Sequence, residues 1–234
     1  MTFEEVMAEL EAYGNEQTKK TFLNHGAPEP LFGVRVGDMK KILKYIKKDQ
    51  DLALRLYETG NYDAMYLAGL AVDPKLLSEE DIRRWVSEAK WYAVAEYTIG
   101  WVAGESPFAL KLAREWIESE QEMIAVAGWS TYANYVMYAG ADVLDFDEIR
   151  SLLLRVQQTI HQAPNRVRYV MNQFIICVGA YVPELRDLAK SVAETVGKVH
   201  VDVGNTACKV PVATDYIEKV LARGEPKKKK TLRC

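Results

Sequence analysis

Cysteine and histidine are scarce in this chain of 234 residues, three of each: Cys177, Cys208, Cys234 and His25, His161, His200. Their spacing builds neither a disulfide framework nor a zinc site, so no metal or other cofactor is expected. No apolar run approaches the roughly 18 residues of a membrane span. The opening Met-Thr-Phe-Glu-Glu-Val is acidic and helical in pattern, which excludes a secretory signal peptide. Glycine-rich nucleotide loops and regularly alternating strands are missing as well. So is the overall positive charge of a histone-like protein: the formal net charge is -3 and the pI about 5.8. Any contact with nucleic acid must therefore rest on a local patch. These absences describe a soluble, reduced, cytoplasmic protein with no membrane partner. Its oligomeric state is open.

What is present is helical period almost throughout. The spacing predicts helices over Phe3 to Tyr13, Thr18 to Asn24, Gly37 to Lys48, Asp51 to Glu58, Tyr62 to Val72 and Glu79 to Ala89. Further helices are expected at about 91–103, 107–118, 121–138, 146–160, 166–179, 184–197 and 212–222. Asn61 can cap the apolar helix that follows it, and Ser78 with Asp81 resembles a capping box. Helix starts near 61, 91 and 121 recur at about 30-residue intervals, close to a helix-pair repeat. The fold class read from this pattern is all-α: a solenoid of helix pairs with one concave face. Residues 1–224 form one repeat domain, and 225–234 a basic tail expected to be mobile. Val199, Val201 and Val203 alternate with polar residues, so a short hairpin is expected near 198–206, with His200 on its exposed side.

Positive charge concentrates in one place. Residues 31 to 48 hold six cations, Arg35, Lys40, Lys41, Lys44, Lys47 and Lys48, against one acid, Asp38. Met39, Ile42, Leu43 and Ile46 fall on one helical face, and most of the cations fall off it. Such a stripe is either an anion-binding surface or a solvated helix face.

Three stretches carry a family resemblance: Phe-Gly-Val-Arg-Val followed by Met-Lys-Lys-Ile at 32–42, Asp73-Pro74-Lys75-Leu76, and the aromatic Lys90-Trp91-Tyr92. In this order they resemble the DNA alkylation-repair proteins of the AlkD type, over about residues 3 to 222. The resemblance implies HEAT-like helical repeats, a concave basic surface for double-stranded, branched or damaged DNA, and excision of cationic alkylated purines by the glycosylases among them. That chemistry needs a carboxylate to stabilise oxocarbenium character on the sugar, and aromatic rings to hold a cationic base.

Against that pattern the chain departs. Trp91 is kept, but the catalytic Asp position falls on Ala95, and Glu96 is one residue later, about 100° further round a helix. An Arg that the resemblance places in the next repeat falls near Val126, and a second wall Trp near Gln173. The expectation is a DNA-binding member that does not excise. The alternatives are a glycosylase for alkylated purines, with Glu96 as the weak catalytic candidate, and a protein-binding scaffold. Trp91, Tyr92, Asn172 and Gln173 are pocket candidates, although Trp91 and Tyr92 would equally seal a helix junction. Arg35, Lys40, Lys41, Lys44, Arg166, Arg168 and Lys209 are candidate DNA contacts, the arginines because forked guanidinium groups at a helix start suit phosphate. Their alternative is a surface ion pair. Trp85, Trp101, Trp116, Trp129 and Cys177 read as core, and Cys208 has no local feature that would make it reactive.

Overall fold

In the computed structural model, which describes residues 1–233, thirteen α-helices follow the periodic segments. They are α1 (Phe3–Ala12), α2 (Glu16–Asn24), α3 (Val36–Ile46), α4 (Gln50–Glu58), α5 (Tyr62–Ala71), α6 (Glu79–Glu88) and α7 (Gly100–Glu105). The rest are α8 (Ala109–Trp116), α9 (Glu122–Tyr138), α10 (Phe146–Thr159), α11 (Asn165–Tyr181), α12 (Arg186–Val196) and α13 (Ala213–Leu221). The caps do what their side chains suggest. Asn61 accepts from the amides of Asp63 and Ala64, Ser78 from that of Asp81, and Thr2 and Glu5 form a reciprocal box on α1.

The helices form two rows. The inner row is α5, α7 with the turn before it, α9 and α11, each packed on the next. All ten residues of α5 and most of α9 and α11 are buried, so these helices are covered on nearly every side. The outer row, α4, α6, α8, α10 and α12, is amphipathic and covers one side of the inner row. Gly128 sets the α8–α9 distance: a Cβ there would lie 2.6 Å from the Ile117 nitrogen. Trp85, Trp116 and Trp129 are core residues as expected, and Trp101 is buried against the free side of the inner row.

An ion-pair ladder joins neighbouring outer helices. Arg84 meets Glu58 at 2.9 Å, Arg83 meets Glu115 at 2.5 Å, Arg114 meets Glu148 at 2.6 Å, and Arg155 meets Glu118. Each pair is partly exposed and contributes little by itself. What the ladder shows is a repeat: each outer helix meets the next through an arginine–glutamate pair, with the arginine on either partner. Among the described residues no helix is long and apolar enough to cross a membrane.

Three expectations need correction. No strand forms at 198–206 among the described residues. The segment instead crosses the ends of the inner helices in irregular backbone, held where Asn165 donates to the Asp202 carbonyl at 2.8 Å and accepts from its amide at 2.7 Å. Alternation does bury Val199 and expose His200, but there is no second strand for a ladder. The continuous helix expected over 91–103 is interrupted: Val94–Ile99 form a π-helical turn before α7. And the basic tail is docked, not mobile. Lys228 donates to the Val136 carbonyl at 2.6 Å, the Lys229 amide to that of Met137 at 2.9 Å, and Leu232 is buried beside Gly104. Cys234, the last residue of that expected tail, lies outside the described residues.

The tail docks for an electrostatic reason. A helix C-terminus exposes carbonyls that lack intrahelical donors and carries partial negative charge. The tail crosses three such ends. Lys228 meets that of α9, and Arg233 donates to the carbonyls of Leu70 and Val72 at that of α5. At the end of α7, Glu105 accepts from the Thr231 hydroxyl at 2.7 Å, the Leu232 amide at 2.5 Å and the Arg233 guanidinium at 3.2 Å.

Candidate functional site

The opposite edge, where the inner helices begin, gathers most of the singled-out residues. Asp63, in the first turn of α5, is fully buried and accepts from three successive amides: Phe32 at 2.6 Å, Gly33 at 3.0 Å and Val34 at 2.8 Å. Burial pushes its carboxyl up, and the three N–H donors pull it back. Gly33 has φ +79°, and a Cβ there would lie 2.5 Å from the Lys19 nitrogen, so only glycine lets the loop wrap this carboxylate. The Phe-Gly-Val stretch thus fastens the basic helix α3 to the inner row.

Trp91 seals a junction. It is 5% exposed, packs edge-on against Tyr62 at 4.3 Å between ring centres, and donates its indole N–H to the His25 carbonyl at 3.0 Å. It is absent from the lining of the cleft that holds Glu96 and lines instead a separate cavity of about 270 Å³ with Pro30, Tyr62 and Lys90. Tyr92, half-buried, has its hydroxyl 3.2 Å from His25 Nδ1, and the exposed Cys208 thiol lies 3.9 Å from the other ring nitrogen.

Beyond Tyr92 lies the central arrangement. Glu96, on the π-helical turn, points inward and is 1% exposed. The π-turn widens the helix here, and both Ala95 and Glu96 are buried. Arg166, from the first turn of α11, meets Glu96 at 2.6 Å. Its guanidinium carbon is 3.7 Å from the centre of the Tyr92 ring and 4.3 Å from that of Tyr169. Two rings and a carboxylate make a cage for a flat cation, and the chain's own arginine fills it. Burial raises the Glu96 carboxyl, while Arg166 and the neighbouring Tyr97 hydroxyl draw it back. Burial likewise lifts Tyr169 to about 12.

The free side of the inner row carries a cleft of about 860 Å³, with Glu96, Tyr97, Trp101, Tyr169 and Gln173 on its floor and walls. Lys209, Arg223 and Lys229 stand at its rim, and the docked tail forms one side. The lining is aromatic and apolar more than basic.

The candidate cations divide accordingly. Arg35, Lys40 and Lys44 are exposed on α3 and its entry loop; Lys44 also lies over the Tyr45 ring at 4.6 Å. Lys41 is exposed but bound to Asp38 at 2.6 Å. Lys209 is exposed at the cleft. Arg166, expected at phosphate, is 8% exposed and committed to Glu96, because its turn of α11 faces inward. Arg168 is half-buried, with a weak 3.5 Å contact to Asn165. Of the pocket candidates, Gln173 lines the cleft. Asn172 is 1% exposed and donates to the Pro211 carbonyl at 2.9 Å, holding the crossing segment in place. Val126, where the resemblance puts an arginine, is fully buried.

A family model described as DNA alkylation repair enzyme matches residues 6–189. The chain belongs to this family. Among its relatives are two uncharacterized proteins, Lmo0209 of Listeria monocytogenes and Lin0241 of Listeria innocua. They are 37% and 38% identical over 228 residues, covering 95% of this chain and 99% of each relative. A solved structure superposes with a TM-score of 0.91 at 41% identity, covering both chains completely. It is described as a new family of proteins related to the HEAT-like repeat DNA glycosylases with affinity for branched DNA structures. The two-row array is thus a HEAT-like repeat fold, and its free side is the concave one.

Within this DNA alkylation repair family member, Asp63, His25 and Glu105 escaped the sequence reading. Asp63 and Glu105 sit in apolar stretches, where a lone acid is a signal in itself, since an unpaired charge is not buried. Nothing local marks His25.

Proposed function

We propose that this protein binds DNA at branch points through phosphate contacts and does not excise bases. The observation that carries the second half is the filled cage: Arg166 occupies the space between Tyr92 and Tyr169 and neutralises Glu96. A cationic purine would need that same combination of rings and carboxylate, and Ala95 offers no acid in its place. The first half is supported by family membership, by the branched-DNA affinity of the similar solved structure, and by the exposed cations Arg35, Lys40, Lys44 and Lys209. The site of action is then the nucleoid, within the cytoplasm.

Gel-shift titration of a four-way junction against linear duplex of the same length tests the binding. The junction is expected to bind more tightly, with affinity falling steeply as salt rises. Replacing Arg35, Lys40 and Lys44 together by alanine should reduce the slope of log affinity against log salt by about 3. Equal affinity for both DNAs removes the preference for branches, and absence of any shift removes DNA binding. Methylated DNA incubated with the protein should release no N3- or N7-methylpurine above background; release would overturn the non-excising assignment.

A further inference from the structure

Arg166 satisfies one oxygen of Glu96. The other, Oε1, is buried and makes no hydrogen bond of ordinary geometry; the nearby Tyr97 hydroxyl is close enough to draw the carboxyl down but leaves that bond unmade. Glu96 lines the cleft on the concave side with Oε1 buried just beneath its surface, so a donor that displaces the covering side chains would meet an acceptor already stripped of water. Gln173 beside it can both donate and accept. The walls include flat rings: Tyr97 and Trp101 lie 5.6 Å apart, tilted by 40°, and Tyr169 is part of the same lining. At the mouth, Lys209, Arg223 and Lys229 are exposed and form no ion pair among the described residues. The cleft is therefore an acceptor at the bottom, rings at the sides and cations at the rim, and about 860 Å³ is ample for a nucleotide.

We propose that this cleft holds one unpaired nucleotide of a DNA strand. The base stacks on the rings, its exocyclic amino group donates to Glu96 Oε1, and its phosphate lies against Lys209, Arg223 and Lys229. This rests on the DNA-binding reading above and adds which part of the DNA is recognised. Within a duplex the amino groups are engaged in pairing; at a branch point an unpaired base has them free. Stacking on aromatic rings accepts any base, whereas a carboxylate selects a base that can donate, as cytosine does through N4. Thymine has no exocyclic amine, and its one donor, the ring N3–H, is flanked by two carbonyl oxygens that a carboxylate repels, so it is disfavoured.

Calorimetric titration of the intact protein with dCMP and with dTMP tests the floor of the cleft. The expected result is dCMP binding about tenfold more tightly. Equal affinities, or no binding of dCMP at millimolar concentration, overturn the proposal. Deoxycytidine should bind more weakly than dCMP. The variant carrying Lys209→Ala, Arg223→Ala and Lys229→Ala, all at exposed positions, should bring dCMP down to the deoxycytidine level; an unchanged dCMP affinity removes the phosphate contact. In a three-way junction with one unpaired nucleotide, exchanging cytosine for thymine should weaken binding about tenfold. If the junction binds equally whichever base is unpaired, the cleft proposal falls and the DNA-binding reading stands. If dCMP binds but no DNA does, the DNA-binding reading falls and the cleft remains a nucleotide site.

Discussion

Glu96 and Glu105 lie on successive parts of one inner helix, the first 1% and the second 8% exposed, yet they are satisfied in different ways. Glu105 is surrounded by donors from the tail, two on one oxygen and one on the other. Glu96 has a single cation on one oxygen and no hydrogen bond on the other. Glu105 behaves as a fastening point, with both of its oxygens bonded. Glu96 is held by a cation that is itself locked between two rings, and its second oxygen is a buried, unbonded acceptor on a residue that lines the cleft. The difference shows where the chain invests a buried charge in architecture and where it leaves an acceptor open.

The largest expected effect comes from breaking the Glu96 pair. Arg166→Ala strands a buried carboxylate and should lower the free energy of unfolding by about 3–5 kcal/mol, measured by urea denaturation. Replacing Glu96 and Arg166 together by leucine should recover most of that loss, because no charge is then left alone. A loss below about 1 kcal/mol in Arg166→Ala would show that the pair is solvated in solution. The same variant has a pH signature. Burial raises the folded-state pKa of Glu96 above its unfolded value, so the folded protein holds that proton more readily. The deficit relative to wild type is therefore smallest in acid, where both folded proteins hold the proton, and grows only as pH rises above the raised wild-type value, toward the still higher value of the variant that lacks the guanidinium. Denaturation curves over this range that stay parallel would contradict the assignment.

On the Glu105 side, Leu232→Ala is expected to cost about 2 kcal/mol, near the low end for a buried leucine because the chain end can relax. Glu105→Gln keeps the shape but loses charge assistance and should cost about 1 kcal/mol, read as a drop in melting temperature. If it matched the Arg166→Ala loss, the contrast between the two carboxylates would be gone. The smallest effect is chemical. A thiol reagent should modify Cys208 in the native protein and spare Cys177, which is buried with its thiol pushed up to about 12. Mass mapping of the labelled peptides distinguishes them.

The helices, their order and their pairing were legible because each is encoded locally by apolar period and capping residues. The basic helix α3 was legible for the same reason. The cage was not, because Glu96 and Arg166 stand 70 residues apart and meet only once three helices have packed. The π-turn was hidden too, since residues Val94 to Ile99 read as ordinary helix and only the neighbours force the wider turn. Valine alternation at 199–203 correctly gave the inward and outward sides but misled on the strand, because a ladder needs a partner that the fold does not supply. In the tail, the run of lysines masked Leu232 and Arg233, whose role depends on helix ends that lie far away in sequence.

The docked tail has a consequence for how the array unfolds. In a stack of helix pairs each unit senses only its neighbours, and such arrays fray from their ends. Here Arg233 grips the carbonyls at the end of α5, while Lys228 grips that of α9. The last residues described are thereby coupled to a helix in the first third of the chain. Opening either terminus then costs contacts at both, and the expected behaviour is a single cooperative transition in place of stepwise peeling.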